Sequence, residues 1–267
     1  MMEFSDDQLH RYARHIILQE VGGVGQEKLL AAKVLVVGAG GLGSPVLMYL
    51  AAAGVGTIGV IDDDVVELSN LQRQIVHGTS SIGQAKTASA AATLHEINPE
   101  VRVVTHEMRL TVANAERLIA DYHVIADGSD NFATRYLVND ACYFAKRPLV
   151  SAAMLRFDGQ IATFKAYLGG DNPCYRCLFR EAPPSGLVPS CSEAGILGAL
   201  AGTLGSFQAT EVLKEILDIG DSLSGSLILY DSLSAIFQKV TVKPDPDCPL
   251  CGPQATIKDL SIHEQAA

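Results

Sequence analysis

The most constraining feature of this chain is six residues near its start, Gly38-Ala39-Gly40-Gly41-Leu42-Gly43. They close an apolar run at 34–38 and open a helix-compatible stretch at 44–53, and a second apolar run at 57–61 ends at Asp62. In that setting the glycines of Gly-x-Gly-x-x-Gly have separate reasons: Gly38 permits a tight turn, Gly40 lets a phosphate approach the main chain, and Gly43 lets strand and helix pack closely. The amides at the helix start then face an anion. Asp62, nineteen residues past Gly43, falls where a carboxylate accepts hydrogen bonds from ribose hydroxyls. Asp63 and Asp64 alone read as a solvated turn.

The alternation continues along the chain. Strands are expected at 101–105, 123–126 and 149–152, separated by helices at 84–97, 112–120 and 131–146. Short apolar strands with helices between them imply a parallel sheet covered on both faces, with ligands beyond the carboxyl ends of its strands. After about Ala153 the pattern changes. Segments 160–166, 226–230 and 236–242 read as strands without regular crossover helices, which predicts antiparallel additions. A helix is expected over 193–217, preceded by a proline-rich crossing loop at 180–190. The fold class is therefore α/β, a Rossmann-like nucleotide-binding fold whose mainly parallel sheet is extended by antiparallel strands. The division expected is a nucleotide-binding half over 1–153, a second half over 154–252 and a poorly ordered tail over 253–267, all in one domain.

Composition narrows the ligands. The 267 residues carry thirty acidic and twenty basic side chains, a formal charge of −10, which argues against a surface that coats nucleic acid or anionic lipid. An anionic ligand must find a local cationic pocket. The first residues, with Glu3, Asp6 and Asp7, lack the apolar core of a secretory signal, and the uncharged stretch 34–61 is interrupted by seven glycines and Pro45. A cytoplasmic protein is expected.

Two cations follow Asp62: Arg73, in Ser69-Asn70-Leu71-Gln72-Arg73-Gln74, and Lys86, in Gly83-Gln84-Ala85-Lys86. A dinucleotide pyrophosphate is largely satisfied by glycine-loop amides, whereas a triphosphate with Mg²⁺ benefits from added Arg and Lys, so ATP fits better than NAD. Asp130, in Ser129-Asp130-Asn131, follows the strand at 123–126 and reads either as a Mg²⁺ ligand beside phosphates or as the N-cap of the next helix. Two Cys-x-x-Cys pairs, Cys174/Cys177 and Cys248/Cys251, match a closed tetrahedral zinc site with a structural role; redox-active or free thiols are the competing reading. Cys142 sits in an apolar helical stretch and reads as core. Cys191 lies between the proline-rich loop and a helix start, where the helix dipole lowers a thiol pKa.

Jointly these segments, with Arg11-Tyr12-Ala13-Arg14-His15-Ile16, closely resemble the MoeB/ThiF family of adenylyltransferases, bacterial relatives of the ubiquitin-activating enzymes, over roughly 5–252. The resemblance implies that MgATP binds at Gly38, Gly40, Gly41 and Gly43. It implies further that Asp62 holds the ribose, Asn70 and Asn131 fall at nucleotide-contacting positions, Arg73 and Lys86 contact phosphates, and Asp130 engages Mg²⁺. It implies a homodimer in which Arg14 reaches the neighbouring ATP site, and zinc on the four paired cysteines. The substrate implied is a ubiquitin-like sulfur carrier ending in Gly-Gly, bound by the 154–252 half and adenylated at its terminal carboxylate. Cys191 matches a family cysteine with a role in thioester or persulfide chemistry. No sulfurtransferase domain fits within this length, so a separate protein is expected to donate sulfur. The alternatives are an NAD(P)-dependent oxidoreductase built on the same glycine loop and Asp62, and a nucleotide-binding scaffold without turnover.

Overall fold

A computed structural model describes residues 4–184 and 194–266. The chain opens with helices α1 (Asp6–Ile16) and α2 (Gly22–Ala31) and then enters the alternation: β1 (Lys33–Val37), α3 (Gly43–Ala52), β2 (Thr57–Ile61), α4 (Lys86–Ile97), β3 (Arg102–His106), α5 (Val112–Ala120), β4 (Val124–Asp127), α6 (Phe132–Ala145) and β5 (Leu149–Leu155). It continues through β6 (Asp158–Phe164), the short α7 (Tyr175–Leu178), α8 (Gly198–Leu217), β7 (Ser226–Asp231) and β8 (Ile236–Thr241). One eight-stranded sheet runs through it in the order β3-β2-β1-β4-β5-β6-β7-β8. Strands β3 to β5 in that order are parallel, and β6, β7 and β8 add antiparallel.

The two-residue period of β1 explains its central place. Val34 and Val36 pack with Val46, Leu47 and Leu50 of α3 and Leu204 of α8. Leu35 and Val37 pack on the other face with Ile119 of α5 and Leu137 and Val138 of α6. Each such side chain withdrawn from water contributes about 1.5–3 kcal/mol, so the strand is held from both faces. Strand order reverses between β1 and β4, which opens a crevice at their carboxyl ends. Below it, the buried Gln208 of α8 donates from Nε2 to the carbonyls of Asp127 (2.8 Å) and Val150 (2.9 Å), tying the helix to the ends of β4 and the start of β5.

Helix α1 starts at a capping box of Ser5 and Gln8. It is anchored by Arg11 to the carbonyl of Ile97 (2.9 Å), by the Tyr12 hydroxyl accepting from Asn98 Nδ2 (2.9 Å), and by His15 against Gln26 (3.1 Å). Those contacts lie near the starts of β2 and β3, so α1 packs at the sheet edge opposite the crevice.

Most elements fall within a few residues of their expected bounds. The long helix begins at Gly198 rather than 193, and the crossing-loop expectation lies largely outside the described residues. The tail is a correction. A 3-10 helix at Leu260–Ala266 docks on α6, with Leu260 buried and His263 Nε2 set 2.8 Å from Asp140 Oδ2. Asp140 also accepts a two-pronged contact from Arg176 Nε (2.9 Å) and Nη2 (2.7 Å). Burial opposes its ionisation, but the hydrogen bonds from His263 and Arg176 outweigh this and hold the carboxyl below its ordinary value. The stability this contributes is complete above about pH 4 and is lost as pH falls through the depressed folded value. His263→Ala is expected to cost about 1–2 kcal/mol in urea unfolding at pH 7. The gap between wild type and Asp140→Asn should narrow as pH drops below about 4; a gap that stays constant would deny the carboxylate this role.

Candidate active site

The crevice is a cleft of about 310 Å³ above β1, β2 and β4. Its floor is the turn between β1 and α3. Gly38 has φ +91°, a left-handed conformation natural to glycine, and a Cβ on Gly43 would collide with the Gly38 carbonyl oxygen. Gly38, Gly40 and Gly41 line the cleft. Gly43 is not among its lining residues; its place is the close contact of α3 with the strand end.

Asp62, at the end of β2, accepts from the amide of Ala39 with Oδ2 (2.8 Å) and from the amide of Asp64 with Oδ1 (2.9 Å). Burial pushes its carboxyl up, against the pull of Lys86. Each oxygen keeps a further lone pair for a donor such as a sugar hydroxyl. Lys86, the first residue of α4, is 6% exposed and its ammonium lies 2.8 Å from Asp64 Oδ2. A buried ammonium needs a counter-charge, and Asp64 supplies it here. Arg73 donates from Nη1 to the carbonyl of Ser69 (3.1 Å) and lines the same cleft.

Asp130 and Asn131 stand at the opposite rim, and both are exposed. The cap of α6 belongs to Asn131, whose Oδ1 accepts the Thr134 amide (2.9 Å), and not to Asp130 as the sequence allowed. Asn70 is outside the cleft lining and closes a local turn by accepting the Glu67 amide (3.3 Å). Arg14 is exposed on α1, away from this chain's own cleft. Cys191 lies outside the described residues. Cys142 is buried in the core, as expected.

The structure adds residues that the sequence reading passed over. Arg135 is 8% exposed and donates from Nη2 to the carbonyl of Ser129 (2.6 Å), and it lines the cleft with Arg109 and Met154. Buried Asp127 gathers the Ser129 amide (3.0 Å) and the hydroxyls of Ser129 (2.6 Å) and Ser151 (2.8 Å), which fixes the loop after β4. Gln74 is 4% exposed, lines the cleft, and has its Oε1 buried without a hydrogen-bond partner. Arg109 had a signal, because it follows the end of β3 at the ligand edge of a parallel sheet. Arg135, in the first turn of α6 among apolar residues, had none.

Away from the cleft, the four paired cysteines come together. Sulfur separations are 3.8 Å for Cys174 and Cys177, 3.5 Å for Cys174 and Cys248, 3.4 Å for Cys177 and Cys251, and 3.5 Å for Cys251 and Cys174. Tetrahedral thiolates about 2.3 Å from a central ion stand about 3.8 Å apart, so these positions fit a four-sulfur metal site closed to substrate. The cluster joins α7 to a loop more than seventy residues later and is packed by Leu250 and Ile257.

A switch-point cleft bearing a glycine loop, a ribose-compatible carboxylate and several cations defines an α/β nucleotide-site protein. The comparisons narrow the class. The ThiF family matches residues 12–250, and the chain belongs to that family. It is 50% identical to the SAMP-activating enzyme E1 of Haloferax volcanii, over 97% of this chain and 96% of that one. It is 49% identical to the sulfur carrier protein adenylyltransferase of Thermus thermophilus, over 98% of each. The adenylyltransferase and sulfurtransferase MOCS3 of Sus scrofa is 50% identical over 97% of this chain but only 57% of its own length. Among solved structures, E. coli MccB superposes with a TM-score of 0.80 at 23% identity, covering 92% of this chain and 76% of that one, a likeness of fold.

The Lys86–Asp64 contact yields a test independent of turnover. Asp64 is largely exposed, so its pair with Lys86 is weak and competes with any polyanion for the ammonium. Asp64→Asn is expected to tighten binding of inorganic triphosphate about two- to fivefold by calorimetric titration. Weaker binding would make Asp64 part of the anion site and not its competitor.

Proposed function

We propose that this protein is an ATP-dependent adenylyltransferase that activates the C-terminal glycine carboxylate of a ubiquitin-like sulfur carrier protein ending in Gly-Gly, releasing pyrophosphate. The observation that carries this reading is the convergence of Arg73 and Lys86 with the glycine loop and Asp62 in one cleft. Relatives named as carrier-activating enzymes, matched over nearly their whole lengths, support the substrate class.

The carboxylate oxygen attacks the α-phosphorus, the bond to the pyrophosphate oxygen breaks, and an acyl adenylate forms. Both partners are anions, so repulsion is the first barrier. Glycine-loop amides, Arg73 and Lys86 offset charge on the phosphates, while Asp62 fixes the ribose and thereby the position of the α-phosphate. The nucleophile is already ionised at neutral pH, and no general base is required. Mg²⁺, for which the exposed Asp130 carboxylate at the rim is a suitable oxygen ligand, would add charge neutralisation on the phosphates. Asn131 at the rim is assigned to positioning the nucleotide, and Asn70, outside the lining, to the same end through the turn that carries Arg73, whose amide donates to the Asn70 carbonyl (3.0 Å). In a homodimer, Arg14 of one subunit serves the cleft of its partner. Cys174, Cys177, Cys248 and Cys251 would hold zinc, which would there supply a structural staple between the two segments that carry them. A separate protein supplies sulfur after adenylation, and Cys191 serves that later transfer. Among the described residues no helix is long and apolar enough to cross a membrane, and reduced thiols at the metal site suit a cytoplasmic setting.

Pyrophosphate exchange tests the reading directly. Exchange is expected only with ATP, Mg²⁺ and a Gly-Gly-ended carrier; hydride transfer from NAD(P)H instead, or nucleotide binding without exchange, would overturn it. Arg73→Ala, Lys86→Ala and Asp130→Ala should each lower exchange by about 10²–10³-fold with the fold kept, and Cys191→Ala should retain it. Verified mixed dimers of Arg14→Ala and Asp130→Ala chains should regain activity, and none would be recovered if Arg14 acted within its own subunit. Metal analysis should find one zinc per chain, lost in Cys248→Ser together with several degrees of melting temperature.

A further inference from the structure

We propose that His77 is a positioning residue for the nucleotide phosphates, orienting the Gly40 amide and tying the glycine loop to the helix that carries Lys86. The proposal rests on the reading of the cleft as an ATP site. His77 is 7% exposed and lies behind the loop, outside the cleft lining. Its Nε2 is 2.9 Å from the carbonyl oxygen of Ala39, and its Nδ1 is 2.9 Å from Ser89 Oγ.

A carbonyl oxygen only accepts, so Nε2 carries the proton. Burial pushes the imidazole below its ordinary value; the Ala39 carbonyl and Asp62 pull the other way, and Lys86 pushes with burial. The ring is therefore neutral at pH 7, and Nδ1 accepts from the Ser89 hydroxyl.

The geometric consequence falls on the next residue. The Ala39 carbonyl and the Gly40 N–H belong to one planar trans peptide, so the two groups point in opposite directions. Holding the carbonyl toward His77 turns the Gly40 amide away from it, and Gly40 lines the cleft. The other side of Ala39 is fixed as well, since its own amide donates to Asp62 (2.8 Å). Ser89 is three residues beyond Lys86, within the first turns of α4. One ring thus sets the main-chain donor and the ammonium in a common frame, which is where preorganised charge is effective.

Two substitutions separate the contacts. His77→Gln places an amide N–H where Nε2 stands, whereas His77→Asn keeps an acceptor for Ser89 but falls short of Ala39. In pyrophosphate exchange, His77→Asn is expected to raise the KM for ATP about tenfold, through loss of the charge-assisted hydrogen bond from a misaligned Gly40 amide to a phosphate, with kcat within about threefold. His77→Gln should stay within about threefold of wild type in both. A merely structural histidine would lower melting temperature and kcat and leave KM unchanged. Unchanged KM in folded His77→Asn, or equal impairment in the two variants, overturns the proposal. If His77→Asn fails to fold, Ser89→Ala decides: a rise in KM of about threefold supports the link and an unchanged KM refutes it. Calorimetric titration with inorganic triphosphate should reproduce the same ranking without turnover. A wild type that binds triphosphate but never exchanges pyrophosphate would sink the assigned reaction, while the ranking of the variants would still judge His77.

Discussion

The structure depends on the contact at the turn from β1 into α3, where the main chain of Gly43 meets the carbonyl of Gly38. No side chain fits between them. That approach sets the angle at which α3 leaves the strand, and α3 then packs on the sheet beside α8 through Val46, Leu47 and Leu50. The loop between carries main-chain donors at Gly40 and Gly41, with Arg73, Gln74 and Met154 among the side chains nearest to them. Because strand order reverses beside β1, the loop opens into a crevice and is not covered by the next connection.

Electrostatics at the rim follow from having cations near a surface that is otherwise acidic. Lys86 is buried with Asp64 against it, Arg73 holds a carbonyl, and Arg135 holds another. Each cation is engaged by a weak or neutral partner that is readily exchanged for a stronger anion. The net charge of −10 and a pocket for a polyanion are therefore compatible: long-range repulsion in salt is screened within about a Debye length, and the local donors act inside it. The carboxylates are placed by a different rule. Asp62 and Asp127 accept main-chain amides and hydroxyls that fix loops, whereas Asp130 is left exposed to the solvent side.

What the sequence revealed was whatever has a fixed local spacing. The glycine loop, Asp62 at the end of its strand, and two Cys-x-x-Cys pairs are short patterns whose physics is contained within a few residues. Strand and helix alternation was equally visible, because β1, β2 and β4 are apolar runs buried on both faces. Residues that act through long-range partners were not. Gln208 meets the end of β4 and the start of β5, 81 and 58 positions earlier, and His77 reaches back to Ala39. The docking of the tail was hidden for the same reason. Its apolar signal is sparse: Ile257 packs on the cysteine cluster, Leu260 on α6, and the remaining hold is polar, His263 to Asp140. Asp130 and Asn131 show the limit of adjacency: either could cap α6 by composition, and only the backbone decides that Asn131 does.

The second half of the chain solves a problem that the first half does not have. In the parallel half each of β1 to β4 is followed by a helix that covers the sheet. The antiparallel strands β7 and β8 have less cover: Ile228 reaches the core and Phe237 packs on Phe207 of α8, but β8 is exposed along most of its length. Point fasteners replace layers there. The four sulfurs join α7 to the loop after β8, and Asp140 on α6 binds both Arg176, between the first two cysteines, and His263 of the tail. Through Asp140 the cysteine cluster and the tail are fastened to the same helix whose first turn lies at the cleft. A partly uncovered sheet can then remain ordered without a second helical layer, while the rim of the cleft stays fixed.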